Sequence, residues 1–203
     1  MAKQSRDRLV SVALQLFRQH GFHATGIDRI LAEAGVAKNT LYRHFKSKDE
    51  LILASLRQQD EEFRNWLMRE VDRRDNAIDR LLAVFDVYEQ WSRTPVFFGC
   101  IFINASAEFS DPNSPIHAFG KEHKRLLTMF IRDLAKADDV QGWEHLSACW
   151  LLLLDGAVTS TQVSNHALCF EQAKVVAKNL LESDALSKLT NPRSNQQRID
   201  EQV

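Results

Sequence analysis

"VAKNTLYRHFKSKDEL", residues 36–51, places three lysines, an arginine, a histidine and two aromatic residues within sixteen positions. In a helix that begins near Lys38, successive side chains are turned by about 100°, so Leu41 and Phe45 share one side. Asn39, Arg43 and Lys46 then face the opposite way, Thr40 and Tyr42 lie on the flanks, and Lys38 stands at the helix start. Such a face is either a solvated surface or a surface that reads DNA. The chemistry fits the second reading: Asn pairs bidentately with adenine, Arg or Lys with guanine, and the Thr methyl meets thymine. Tyr42 and Lys48 suit phosphates, as do the free amides opening a following helix.

The flanking sequence decides between the two. Upstream, Leu9, Val12, Ala13, Leu16 and Phe17 recur at helical spacing and predict an amphipathic helix over about 5–20, closed by Gly21. A second helix is expected to open at Thr25, its hydroxyl capping the amide three residues on and Asp28 acting as reciprocal partner. Ile27, Ile30, Leu31 and Ala34 form its stripe, and Gly35 ends it. Only "GVA" separates this helix from the one at Lys38, which is the helix-turn-helix arrangement. Ser47 and Glu50 form a second capping box and start a long fourth helix near Lys48.

With these residues in order, 6–51 resembles the DNA-binding domain of the TetR family of transcriptional regulators. The resemblance is carried by Ala13, Leu16, Phe17, Gly21-Phe22, Thr25, Ile27, Ile30 and Ala34-Gly35-Val36, and most densely by Thr40-Leu41-Tyr42, His44-Phe45, Ser47-Lys48 and Leu51. It implies a DNA-binding set of Thr25, Ala37, Lys38, Asn39, Thr40, Tyr42, Arg43, His44, Lys46 and Lys48. One position departs from the family pattern. Ala37 stands where Ser or Thr is usual, so a phosphate contact there must come from its backbone amide, and the missing cap costs roughly 1 kcal/mol of helix stability. The resemblance further implies a homodimer on a palindromic double-stranded operator, with a larger helical C-terminal domain that takes a small-molecule effector.

The rest of the chain is also expected to be helical. Glycine and proline are scarce and no strand alternation is sustained, so the fold class is all-α: a three-helix head on a larger helical body. Helices are expected at about 48–72, 75–92, 96–109, 116–136, 142–166 and 170–183. The expected domains are 1–50 for DNA, 51–183 for effector and dimer, and a flexible tail over 184–203, which is polar and proline-interrupted. "FFGCIFINASAEF", 97–109, is similar to a G-C-x-x-x-N-x-x-x-E pattern of one subgroup of these regulators.

Aromatic residues on several helices either fill a core or enclose an apolar pocket with a few polar groups. Candidates for the pocket are Phe63, Trp66, Trp91, Phe98, Phe102 and Trp150, with Cys100, Asn104, Glu108 and His123 as its polar members. Cys100 reads either as a structural thiol or as a reactive sensor. Leu146, Trp150, Leu153, Gly156 and Ala157, continued by Phe170, Ala173, Ala177 and Leu180, form stripes that either pair across a twofold axis or bury within their own domain.

Charge is divided along the chain. The net charge is -1, yet residues 1–50 carry nine Lys and Arg against five Asp and Glu, and the remainder carries seventeen against twenty-two. A basic head on a slightly acidic body suits a polyanionic partner for the head. Three widely spaced cysteines, Cys100, Cys149 and Cys169, read as reduced thiols. "MAKQSRDRL" lacks the apolar stretch of a signal peptide, and "ACWLLLL" is too short to span a bilayer, so a cytoplasmic protein without membrane attachment is expected. No enzyme motif, metal-ligand spacing or cofactor fingerprint is present, which argues against an enzyme and leaves no cofactor expected. The alternative to a regulator is a helical small-molecule-binding protein, or a thiol-based redox or electrophile sensor, without specific DNA binding.

Overall fold

In the computed structural model, residues 2–137, 140, 142–164 and 168–182 are described, and these form helices with no strand among them. The helices are α1 Ala2–His20, α2 Ile27–Ala34, α3 Lys38–His44, α4 Lys48–Val71, α5 Ala77–Ser92, α6 Ile101–Glu108, α7 Pro115–Ala137, α8 Trp143–Ser164 and α9 Cys169–Glu182. The expected tail over 184–203 lies outside the described residues.

Most of the sequence stripes bury as read, with Val12, Ile27 and Leu31 only partly buried at the edge of the core. Leu9, Ala13, Leu16 and Phe17 on α1, Ile30 and Ala34 on α2, and Leu41 with Phe45 around α3 form one apolar core. Burying side chains of this size contributes roughly 1.5–3 kcal/mol each, which fixes three short helices that would not persist alone. Gly35 closes α2, and α4 opens as expected: the Glu50 amide donates to Ser47 Oγ at 3.2 Å. The reciprocal bond is shifted by one residue, since the Glu50 carboxylate accepts from the Lys46 amide at 2.7 Å.

Two expectations about helix starts are corrected. Thr25 does not cap α2; the cap position is Gly26, with no side-chain bond. The Thr25 hydroxyl is buried and donates backward, to the carbonyls of Gly21 at 2.7 Å and Leu16 at 3.4 Å. A threonine hydroxyl can donate to a carbonyl of the preceding turn as well as accept from an amide ahead, and here it takes the carbonyls behind it. The helix expected from 96 begins only at Ile101, because Gly99 adopts φ +76°, a left-handed conformation that interrupts helical bonding.

The chain forms two compact units. One comprises Met1–Trp66 and Pro95–His123, the other Leu67–Thr94 and the described residues from Lys124 onward. In the first, Ile101, Phe102, Ala105 and Ile116 enter the same apolar core as α1–α3. In the second, α5, α8 and α9 pack on one another. Trp150 is fully buried there, with its indole N–H donated to the Leu81 carbonyl at 3.0 Å and its ring against Phe85. Lys174 donates to both oxygens of Asp86, and Lys124 pairs with Asp155. The α8 helix is long and apolar enough to cross a membrane. Its buried residues are Leu146, Ser147, Trp150, Leu154, Ala157 and Val158, and its Asp155 pairs with Lys124 within the same unit.

Candidate DNA-binding face and effector region

The α3 helix presents the face that its sequence describes. Lys38, Asn39, Tyr42, Arg43 and Lys46 are exposed, whereas Leu41 is fully buried and Phe45 nearly so. Tyr42 is 48% exposed, a large aromatic held in solvent at the flank of a basic surface. The Ala37 carbonyl accepts from the amides of Thr40 and Leu41, and the Ala37 side chain makes no cap. Thr40, His44 and Lys48 are partly buried at the edge of the face. Arg43 reaches back to the Thr40 hydroxyl at 3.5 Å, and Lys38 lies 3.7 Å from Asp28 on α2. Both contacts are in water and leave the cations available to a stronger anion.

Thr25 is the exception in the expected DNA-binding set. It has no exposed surface and its hydroxyl is spent on α1, so it shapes the turn into α2 from inside. Arg6 was not legible as a candidate in the sequence. Its guanidinium lies 5.4 Å from the Phe45 ring centroid and adds a cation at the end of α3.

Of the effector candidates, Phe63, Trp66, Phe98, Cys100, Phe102, Asn104 and His123 lie in the first unit, and Trp91 and Trp150 in the second. His123 of α7 is buried and stacked flat on Phe102 of α6, 3.6 Å between centroids. Its Nδ1 donates to Asp60 of α4 at 2.7 Å, and the same carboxylate takes two bonds from Arg64, at 2.9 and 2.8 Å. Burial alone would raise the Asp60 pKa, but the bonds from His123 and Arg64 outweigh it and hold the carboxyl at about 2. Phe63 packs beside Trp66, and Asn104 Nδ2 donates to the Phe98 carbonyl at 3.4 Å. Cys100 is half-buried at the N-cap of α6 and packs against the apolar core. Trp91 is half-buried and meets Tyr88 edge-on. Trp150 is fully buried in its own unit, with its indole N–H donated to Leu81, so it has no surface to offer a second subunit.

The dimer stripe is corrected likewise. Leu146, Ala157, Phe170, Ala173 and Ala177 are buried within the chain, and Leu153 and Leu180 partly so. They form the seam of one subunit. The apolar residues of α8 and α9 left in solvent are Leu152, 74% exposed, Val163, 81% exposed, and Val175 with Val176. Gly156 is exposed on the same face of α8, with open space where a Cβ would stand. Periodicity identified the stripe that turns inward and left open whether it faced a second subunit or its own domain; the exposed Leu152 and Val163 were not singled out.

A short exposed basic helix, closing a helix-turn-helix on an all-helical body, defines a DNA-binding regulator of the helix-turn-helix class. Comparison with known proteins narrows it. Residues 9–55 match the family described as bacterial regulatory proteins, tetR family. The chain is similar to the solved structure of SCO4454, a TetR-family transcriptional regulator from Streptomyces coelicolor, with 33% identity over 89% of this chain and 95% of that one and a TM-score of 0.83. It is 24% identical to the transcriptional repressor NemR of Escherichia coli, over 90% of this chain and 96% of NemR. Over 94 residues it is 36% identical to the transcriptional activator FasR of Mycolicibacterium smegmatis, covering 44% and 43% of the two chains. The chain belongs to the TetR family of transcriptional regulators.

Proposed function

We propose that this regulator binds a palindromic operator as a homodimer, acts there as a repressor, and is released by a small-molecule effector. The observation that carries the reading is the outward face of α3, on which Lys38, Asn39, Tyr42 and Arg43 are held in solvent by the burial of Leu41 and Phe45, with Lys46 exposed just past its end. Asn39 and Arg43 take base edges, Lys46 and Lys48 take phosphates, and the Ala37 amide and the opening of α4 add backbone donors. Residues 1–50 serve DNA, and 51–183 serve effector and dimer. The subunits pair through the Leu152–Gly156–Val163 face of α8 together with Val175 and Val176 of α9, an apolar surface that water leaves costly. The effector lies among Phe63, Trp66, Phe98, Phe102, Asn104 and His123. The repressor reading follows NemR, and the activator FasR supplies its alternative. The protein acts in the cytoplasm, where its operator is.

Selection of bound duplexes from a random pool tests the reading. A palindrome should emerge, with half-sites about 34–36 Å apart or a multiple of that, and affinity should fall steeply with salt. Recovery of no preferred sequence, with salt-independent binding, would leave a helical sensor without specific DNA recognition. A reporter behind the selected site gives the sign of regulation.

A further inference from the structure

The sequence pattern at 99–108 has no part in the DNA-reading face, yet the structure gives its last member an unusual position. Glu108 ends α6, where a carboxylate meets the negative end of the helix dipole and is locally unfavourable. Its partners are 85 and 86 positions away. Oε1 accepts from the Phe22 amide at 2.9 Å and Oε2 from the His23 amide at 2.7 Å, while the His23 imidazole bonds the Glu108 carbonyl at 3.0 Å. Phe109 meets both rings, edge-on to Phe22 and 4.7 Å from His23. Gly21 permits this close approach. It has φ +83°, and a Cβ there would stand 2.9 Å from Glu108 Oε1. The C-terminus of α6 therefore grips the turn that leads directly into α2 and α3.

The other contacts of α6 with the head are apolar, through Ile101, Phe102 and Ala105. Apolar packing holds two bodies together but resists a change of angle weakly, whereas a carboxylate on two successive amides is directional. Further up α6, Phe102 carries the His123 ring, which is tied to Asp60. At Gly120 of α7, the Ser106 hydroxyl and the Phe102 carbonyl come so near that a Cβ has no room. A displacement of α6 at His123 or Phe102 is thus carried along a rigid helix of eight residues to the Glu108 carboxylate.

We propose that Glu108 is a positioning residue for operator binding: its grip on the Phe22 and His23 amides sets the angle of each reading head, and loosening it uncouples the two heads from fixed half-sites. The inference rests on the operator and dimer reading above and adds to it a residue through which an effector beside α6 acts.

Glu108→Ala and Glu108→Gln are compared with the parent on the selected palindrome, on an isolated half-site at low salt, and on palindromes with one base pair added or removed at the centre. The Glu108→Ala protein should bind the half-site within about twofold of the parent, bind the palindrome about tenfold more weakly, and discriminate less between spacings. Glu108→Gln, which keeps one acceptor oxygen, should fall between. Amide exchange in residues 21–24 should quicken in the same order. Equal losses on half-site and palindrome would mean that the head itself has lost its fold, and unchanged spacing discrimination would mean that the grip sets no angle; either result overturns the proposal. A parent protein that selects no palindrome would overturn the operator reading itself.

Discussion

Arg43 and Lys48 sit within two turns of chain and should behave differently. Arg43 is exposed on the outward face of α3, where a base contact confers sequence preference; Lys48 lies at the opening of α4, where a phosphate contact confers none. Arg43→Ala should cost roughly 1–3 kcal/mol on the selected operator and relax the preference at particular positions. Lys48→Ala should weaken all duplexes about equally and flatten the salt dependence. Competition binding against single-base operator variants separates the two patterns. Asp60 governs a pH response. Its folded pKa, about 2, lies below its unfolded one, so its contribution is complete above about pH 4 and is lost as pH falls through about 2. The difference corresponds to about 2 kcal/mol. Asp60→Asn should abolish that part of the acid dependence in denaturant titrations between pH 4 and 2, and should lower stability at neutral pH by removing the carboxylate that His123 and Arg64 share.

At the scale of the element, capping residues divide into those legible in sequence and those not. Ser47 and Glu50 could be read because both partners lie within one turn of each other, and the Ser47 cap formed as expected. Ser47→Ala should cost about 1 kcal/mol in urea unfolding. Thr25 was misread because its hydroxyl had two sets of partners, and sequence alone does not rank a carbonyl behind against an amide ahead. Thr25→Val keeps the shape and removes the bond, so it should destabilise by about 1 kcal/mol while leaving the start of α2 in place. The role of Glu108 was beyond reach for a different reason: its partners are backbone amides, which carry no side-chain signature. The pattern G-C-x-x-x-N-x-x-x-E was visible, and its physical purpose was not.

At the scale of the whole molecule, the head was the most legible part, since its stripes, turn and caps all act within a few residues. The body was less so. An α8 helix apolar on two faces leaves the choice of inward face to the partners α5 and α9, which are distant in sequence. The outcome separates two kinds of substitution. Leu152→Glu with Val163→Glu charges the face left in solvent, and should yield a folded monomer in sedimentation at micromolar concentration, with weakened palindrome binding. Ala177→Glu charges the seam within the subunit, where the residue has no exposed surface, and should abolish the folded state seen by circular dichroism. A parent protein that is itself monomeric at that concentration would remove the premise of the first; the second stands on burial within one chain.

The separation of 86 positions between Phe22 and Glu108 also sets an order in time. A ribosome adding roughly 5–20 residues per second delivers the carboxylate about 4–17 s after the turn it grips. Ile101, Phe102 and Ala105 of the shared core arrive just before it and Ile116 just after. Until then the newborn reading helices have an open apolar side and an unrestrained turn. The N-terminal fifty residues are therefore made first but completed late, and a message cut short before residue 100 encodes a head exposed to aggregation and proteolysis instead of a minimal DNA-binding module.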